Sequence, residues 1–134
     1  MNEHVAILVV DDDLEDHVIL QGFFSEAGLD GKVQYRENGQ QALFFLEGIL
    51  DDALLPRLIV LDLNMPILNG TQTLLRLKQT PRLRSIPVII FSTSQNETEK
   101  RKCLSLGAVD YLVKPLTLEE GRNIISRFAK VVGM

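Results

Sequence analysis

"ILVVDDDLED", residues 7–16, sets an unbroken apolar run directly against three consecutive aspartates, with two more acidic residues close behind. A short run that is apolar on both faces is expected of a parallel strand covered by helices above and below. The aspartates then stand at the carboxyl end of that strand. In open α/β sheets ligands bind beyond those ends, at the point where the strand order reverses.

Outward from this stretch the chain keeps one rhythm, in which strand-length apolar runs alternate with helix-period segments. No internal repeat, low-complexity tract or Gly/Ser/Pro linker interrupts it. The expected strands are 5–10, 32–37, 58–61, 88–91 and 111–113. Leu20, Phe23, Phe24 and Ala27 fall at i, i+3, i+4 and i+7, as do Ala42, Phe45, Leu46 and Ile49, so each set marks a helix with one core-facing stripe. A third helix spans about 71–79 and ends before Pro81. Asn96 with Glu99, and Thr117 with Glu120, carry capping-box spacing for the fourth and fifth, and Ile124, Phe128 and Val131 are expected on the inner face of the last. Gly28 and Gly107 sit where helix C-caps belong.

"AILVV", "LIVL" and "VIIF" are apolar throughout and belong in the centre of a sheet, whereas "KVQYRE" alternates and "YLV" is short, which suits the edges. Right-handed crossovers then give a three-layer, doubly wound α/β fold with a five-stranded parallel sheet in the order 2-1-3-4-5.

Composition bounds the function. A chain of 134 residues that is 46% hydrophobic is about one domain's worth. Its net charge of −4, from 14 Lys plus Arg against 18 Asp plus Glu, argues against direct binding of nucleic acid and favours a protein partner or a cation. The single cysteine, Cys103, reads as a buried inert thiol in a helix. With no cationic leader and no apolar span of membrane length, the expectation is one cytoplasmic domain over 1–134, away from the membrane.

Reading off the strand ends gives Asp11 and Asp12, Asp62, Ser92 and Lys114, all on one rim. Two carboxylates about 4 Å apart repel by roughly 4 kcal/mol at an effective dielectric of 20, so a cluster of them calls for a counter-charge. Oxygen-only ligation with part of the water shell retained suits Mg²⁺, with Mn²⁺ as an alternative occupant.

"VVDD" at 9–12, "LIVLDLNMPILNG" at 58–70, "VIIFSTS" at 88–94 and "GAVDYLVKP" at 107–115 together resemble the receiver domain of bacterial response regulators, the CheY-like fold, over essentially the whole chain. The 2-1-3-4-5 order agrees with that of CheY, which is itself a standard example of it. The resemblance implies that Asp62 is the nucleophile that takes a phosphoryl group from a sensor histidine kinase or phosphotransfer protein. It implies a cation held by Asp12, Asp62 and the backbone carbonyl of Asn64, with Asp11 acting through water. Lys114 and the Ser92 hydroxyl would take the other two phosphoryl oxygens, and a cis bond before Pro115 would aim Lys114 inward. Phosphorylation from small donors and self-hydrolysis would accompany this role, which is that of a signalling acceptor and not of a turnover enzyme. Ser92 and Tyr111 would form the switch, read on the face of the fourth helix, fifth strand and fifth helix. With nothing after Met134 to bind DNA, output is expected through contact with a downstream protein, or through a homodimer on the fourth and fifth helices.

Several features depart from the family's usual pattern. Ser92 stands where threonine is more frequent, Thr93 where Ala or Gly is usual, and Thr93 and Ser94 are therefore expected to modulate access to the phosphoryl group. "EGILDDALLPR", 47–57, is longer than the usual loop before the third strand and, with "STS", is similar to single-domain regulators that serve phytochrome-type histidine kinases.

Other residues take plainer readings. Asp13, Glu15 and Asp16 are helix-start charges, His17 is a surface residue, His4 carries no signal, and "KRK" at 100–102 is a solvated helix face. Tyr111 stands open between edge-strand packing and the switch. Two rival functions remain at this point. A haloacid-dehalogenase-like phosphatase would use Asp11 as nucleophile with Asp13 as partner, and a phosphorylation-independent adaptor would keep the fold without the chemistry.

Overall fold

The computed structural model describes residues 4–133; the first residues of the expected leaderless start, and Met134, lie outside them. Each apolar run forms its strand: β1 is Ile7–Val10, β2 Val33–Arg36, β3 Leu58–Leu61, β4 Val88–Ser92 and β5 Asp110–Val113. All neighbours pair in parallel in the order β2-β1-β3-β4-β5. The three runs read as central are buried along their whole length, and the two edge strands are partly exposed.

Because successive strand residues point to opposite faces, each central strand feeds two cores. Ile7, Val9, Leu58, Val60, Ile89 and Phe91 meet Leu20 and Phe24 of α1 (Leu14–Glu26) and Ile124, Ile125, Phe128 and Val132 of α5 (Leu118–Val132). Leu8, Val10, Ile59, Leu61, Val88 and Ile90 meet α2 (Gly39–Glu47), α3 (Gly70–Gln79) and Cys103 of α4 (Glu97–Ser105). Burial raises the Cys103 thiol pKa, which leaves it inert.

Local signals set the helix ends. Asn69 and Gln72 form a reciprocal capping box on α3, and Asn96 and Thr117 accept from the Glu99 and Glu120 amides. Gly28 and Gly107 take φ of +77° and +110° just past α1 and α4, as C-cap positions require. The long 47–57 segment is not loose. Asp51 caps a short 3₁₀ turn at Asp52–Leu54, and Arg82 clamps it by bonding Asp52 at 2.7 Å and the Ile49 carbonyl at 2.5 Å.

Three expectations are corrected. On α5 the inner stripe is Ile124, Phe128 and Val132, while Val131 is 39% exposed, because the helix keeps an i, i+4, i+8 face toward the sheet. His17 is buried, not on the surface, since α1 turns it back over β1. No cis peptide occurs among the described residues, so the Lys114–Pro115 bond is trans. The trans isomer is the intrinsically favoured one by about 0.5–1 kcal/mol, and carboxylates at the rim aim Lys114 inward without it.

Candidate functional site

The rim is built by strand ends that the sheet holds in register. Asp11 follows β1 and its amide bonds the Arg36 carbonyl; Asp62 follows β3 and its amide bonds the Val10 carbonyl. Ser92 closes β4, and its carbonyl accepts from the Lys114 amide at 2.8 Å, so the ladder brings the ends of β4 and β5 to the same rim. The expected set is thus assembled by backbone pairing.

Asp11, Asp12 and Asp62 each bring a carboxylate oxygen within 4.8 Å of the others. Asp11 and Asp62 are buried and Asp12 is exposed, so the cluster is open on one side. Asp11 Oδ1 accepts from the Asp13 amide at 2.9 Å, whereas Oδ2 is buried without an aligned hydrogen-bond donor among the described residues. Burial first, and then the Asp11 charge, push the Asp62 carboxyl up to about 7 despite the Lys114 charge and the Asn64 amide; Asp11 is raised too, chiefly by burial. An oxygen-only set, partly open to water and short of positive charge, fits a hard divalent cation.

Lys114 supplies part of that charge. Its Nζ lies 2.5 Å from Asp16, 2.9 Å from Asp11 and 3.7 Å from Asp62. Burial alone would lower its pKa, but the Asp16 and Asp11 contacts outweigh that and hold the ammonium well above its ordinary range.

The loop from Asp62 to Gly70 carries Asn64, which is exposed, and is pinned at its far end by the Gly70 amide bonding the Leu63 carbonyl at 2.9 Å. Within it Ile67 takes φ of +68°, inside a tight turn closed by Leu68 N–H to the Pro66 carbonyl at 2.7 Å. Such a conformation is uncommon for a β-branched residue.

Ser92 is fully buried and its hydroxyl accepts from the Ser94 amide at 3.1 Å, while Thr93 is exposed and Ser94 half-buried. Tyr111 points inward, 5% exposed, its hydroxyl donating to the Ser94 carbonyl at 2.9 Å across the β4–α4 loop. Pro115 is half-buried beside the rim. Asp13 turns away from the cluster, because its carboxylate caps α1 on the Glu15 amide. Asp13 is not among the carboxylates that gather with Asp11, Asp12 and Asp62.

A model of the response regulator receiver domain matches residues 7–126. The chain belongs to that family. This receiver domain is 32% identical over 135 residues to the response regulator Rcp1 of Synechocystis sp. strain PCC 6803, covering 99% of this chain and 88% of Rcp1. Its fold matches the phosphorylated cyanobacterial phytochrome response regulator RcpA with a TM-score of 0.82 at 27% identity, over 96% of this chain and 93% of RcpA. It matches the Mn²⁺-bound form of Rcp1 with a TM-score of 0.78 at 30% identity, over 92% and 91% of the two chains. The chain is a two-component response regulator with the CheY-like topology, similar to receivers of phytochrome systems. No helix among the described residues is long and apolar enough to cross a membrane.

Two residues of the rim escape a reading of motifs alone. Asp16 is a helix-start charge by position, yet it bonds Lys114. His17 Nε2 lies 2.6 Å from the Asp11 carbonyl, with its ring 5.1 Å from that of Tyr35, so it props the backbone of the acidic cluster. No sequence pattern signals that role.

Proposed function

We propose that this receiver takes a phosphoryl group on Asp62. The observation that carries the reading is the convergence of Asp11, Asp12 and Asp62 oxygens within 4.8 Å, with the Lys114 ammonium 3.7 Å from Asp62. An Asp62 oxygen attacks phosphorus while the bond from phosphorus to the donor's imidazole nitrogen breaks, and the electron pair leaves with the imidazole. The product is an acyl phosphate. In its decay, water attacks phosphorus, the bond to Asp62 breaks, and the carboxylate and inorganic phosphate are restored.

Asp12, Asp62 and the Asn64 carbonyl would hold Mg²⁺ directly and Asp11 through water, with Mn²⁺ able to substitute; the ion supplies positive charge where the transferring group spreads its negative charge. Lys114 takes a second phosphoryl oxygen and the Ser92 hydroxyl the third, giving up its bond to the Ser94 amide. That exchange draws in the 92–94 loop, which Tyr111 reads through the Ser94 carbonyl. Thr93, exposed above the rim, meters entry of water.

The donor is a histidine kinase or phosphotransfer domain, and the likeness to Rcp1 and RcpA favours a phytochrome-type kinase. Exposed Leu14, Val18 and Ile19 at the start of α1, with Leu116 and Leu118 just beyond Lys114, supply apolar flanks to the rim on which such a domain docks. Output passes by contact of the α4–β5–α5 face with a protein target or a second copy, in the cytoplasm.

Intact mass spectrometry after incubation with acetyl phosphate tests the reading. We expect the mass of one phosphoryl group to be added only with Mg²⁺ or Mn²⁺, and to be absent from Asp62→Asn. Labelling that survives that substitution would overturn it.

A further inference from the structure

Lys114 is held by two carboxylates, and one of them lies outside the cation set. Its Nζ lies nearest Asp16, with a hydrogen bond of 2.5 Å, and next nearest Asp11 at 2.9 Å. Asp62, the residue the ammonium serves on the reading above, is the most distant of the three at 3.7 Å. The pair is largely withdrawn from water, with side-chain exposures of 12% for Lys114 and 23% for Asp16, so salt screens it weakly.

Asp16 also sits on a different element from the groups that gather at the strand ends. It reaches Lys114 from the first turn of α1, not from a strand end. An ammonium drawn toward α1 must give ground there to close on a phosphoryl group carried by Asp62. Two anionic acceptors then draw on one cation.

We propose that Asp16 is a latch on Lys114, a positioning residue that holds the ammonium toward α1 in the resting state and competes with the phosphoryl group for it. This rests on Asp62 being the acceptor. It assigns Asp16 a part that neither a helix-start charge nor a cation ligand would play. Its strength sets how readily the receiver takes and keeps its phosphoryl group.

The test is beryllofluoride binding at fixed Mg²⁺, followed by backbone amide shifts at 92–94 and by the side-chain signals of Lys114. Asp16→Asn keeps the shape and removes the charge, and should tighten binding by about tenfold, the scale of one hydrogen bond to a charged group. The Lys114 signal of the free variant should already lie part-way toward the bound position. Glu15→Gln removes one negative charge from the same turn without touching Lys114 and is expected to change affinity far less; Asp16→Glu should restore the wild-type value. Equal effects from Asp16→Asn and Glu15→Gln would reduce the latch to a net-charge effect and overturn it, as would weaker binding by Asp16→Asn. If wild type itself forms no adduct, the acceptor reading fails first and the latch with it.

Discussion

A side chain at position 70 has no room beside Asp62: a Cβ there would stand 2.2 Å from the Asp62 carbonyl oxygen and 2.6 Å from the Leu63 α-carbon. Glycine therefore lets the first turn of α3 rest directly on the end of β3. Because the obstructing atoms are backbone, no rotamer change relieves the clash. Gly70→Ala should cost about 1–3 kcal/mol or more, as overpacking does. It should also displace the 62–70 loop, lowering urea resistance and acetyl phosphate labelling together. Normal labelling at reduced stability would show that the contact serves the fold alone.

The raised Asp62 pKa gives the metal-free protein a defined pH response. The folded state keeps the Asp62 proton up to about 7, whereas the unfolded chain releases it near 3.8. Across that window the folded form binds more protons, so stability present at low pH is lost as pH rises, by up to roughly 1.4 kcal/mol for each pH unit crossed. Melting in EDTA should show a Tm that falls from about pH 4 to pH 7 and levels off above it. Saturating Mg²⁺ or Asp62→Asn should flatten the profile; an unchanged slope in Asp62→Asn would mean that another group is responsible.

His17 carries the Asp11 carbonyl on its ring nitrogen and packs on Tyr35. His17→Phe keeps an aromatic ring and deletes the bond, leaving a buried carbonyl unpaired at a cost of about 1–3 kcal/mol. Calorimetric Mg²⁺ titration should show weaker binding, because the backbone that presents Asp11 and Asp12 is released. Unaltered Mg²⁺ affinity would confine His17 to packing.

Arg82 offers a contrast. Its ion pair with Asp52 is exposed, so its Coulombic part is worth about 0–1 kcal/mol. Its bond to the Ile49 carbonyl is what ties the 47–57 segment to the end of α3. Arg82→Met should leave global stability within about 1 kcal/mol while hydrogen exchange at 49–55 rises by tenfold or so, the scale of one hydrogen bond. Unchanged exchange would mean that the 3₁₀ turn holds itself.

The central strands were legible because burial on both faces leaves an unmistakable run of apolar residues, and the cluster was legible because it lies directly beyond two such runs. Gly70 lies within a motif whose spacing is local. Less was written in single residues. Val131 and Val132 are equally apolar, and only the helix's phase against the sheet decides which is buried. His17 and Asp16 owe their parts to the angle at which α1 crosses β1, a tertiary quantity that no run of residues in that helix encodes. The partners of Lys114 follow the same rule, since they stand 98 and 103 positions away in the chain.

The bond from the Lys114 amide to the Ser92 carbonyl has a further consequence. It fixes the backbone at the end of β5 against that of β4 at the interstrand pitch of a parallel sheet, about 4.8 Å, whatever path the chain takes between them. The excursion from 93 to 109 can therefore lengthen, shorten or change its outer face without retuning the chemistry beneath it. One reactive rim can in this way be fitted with many different recipients of its signal.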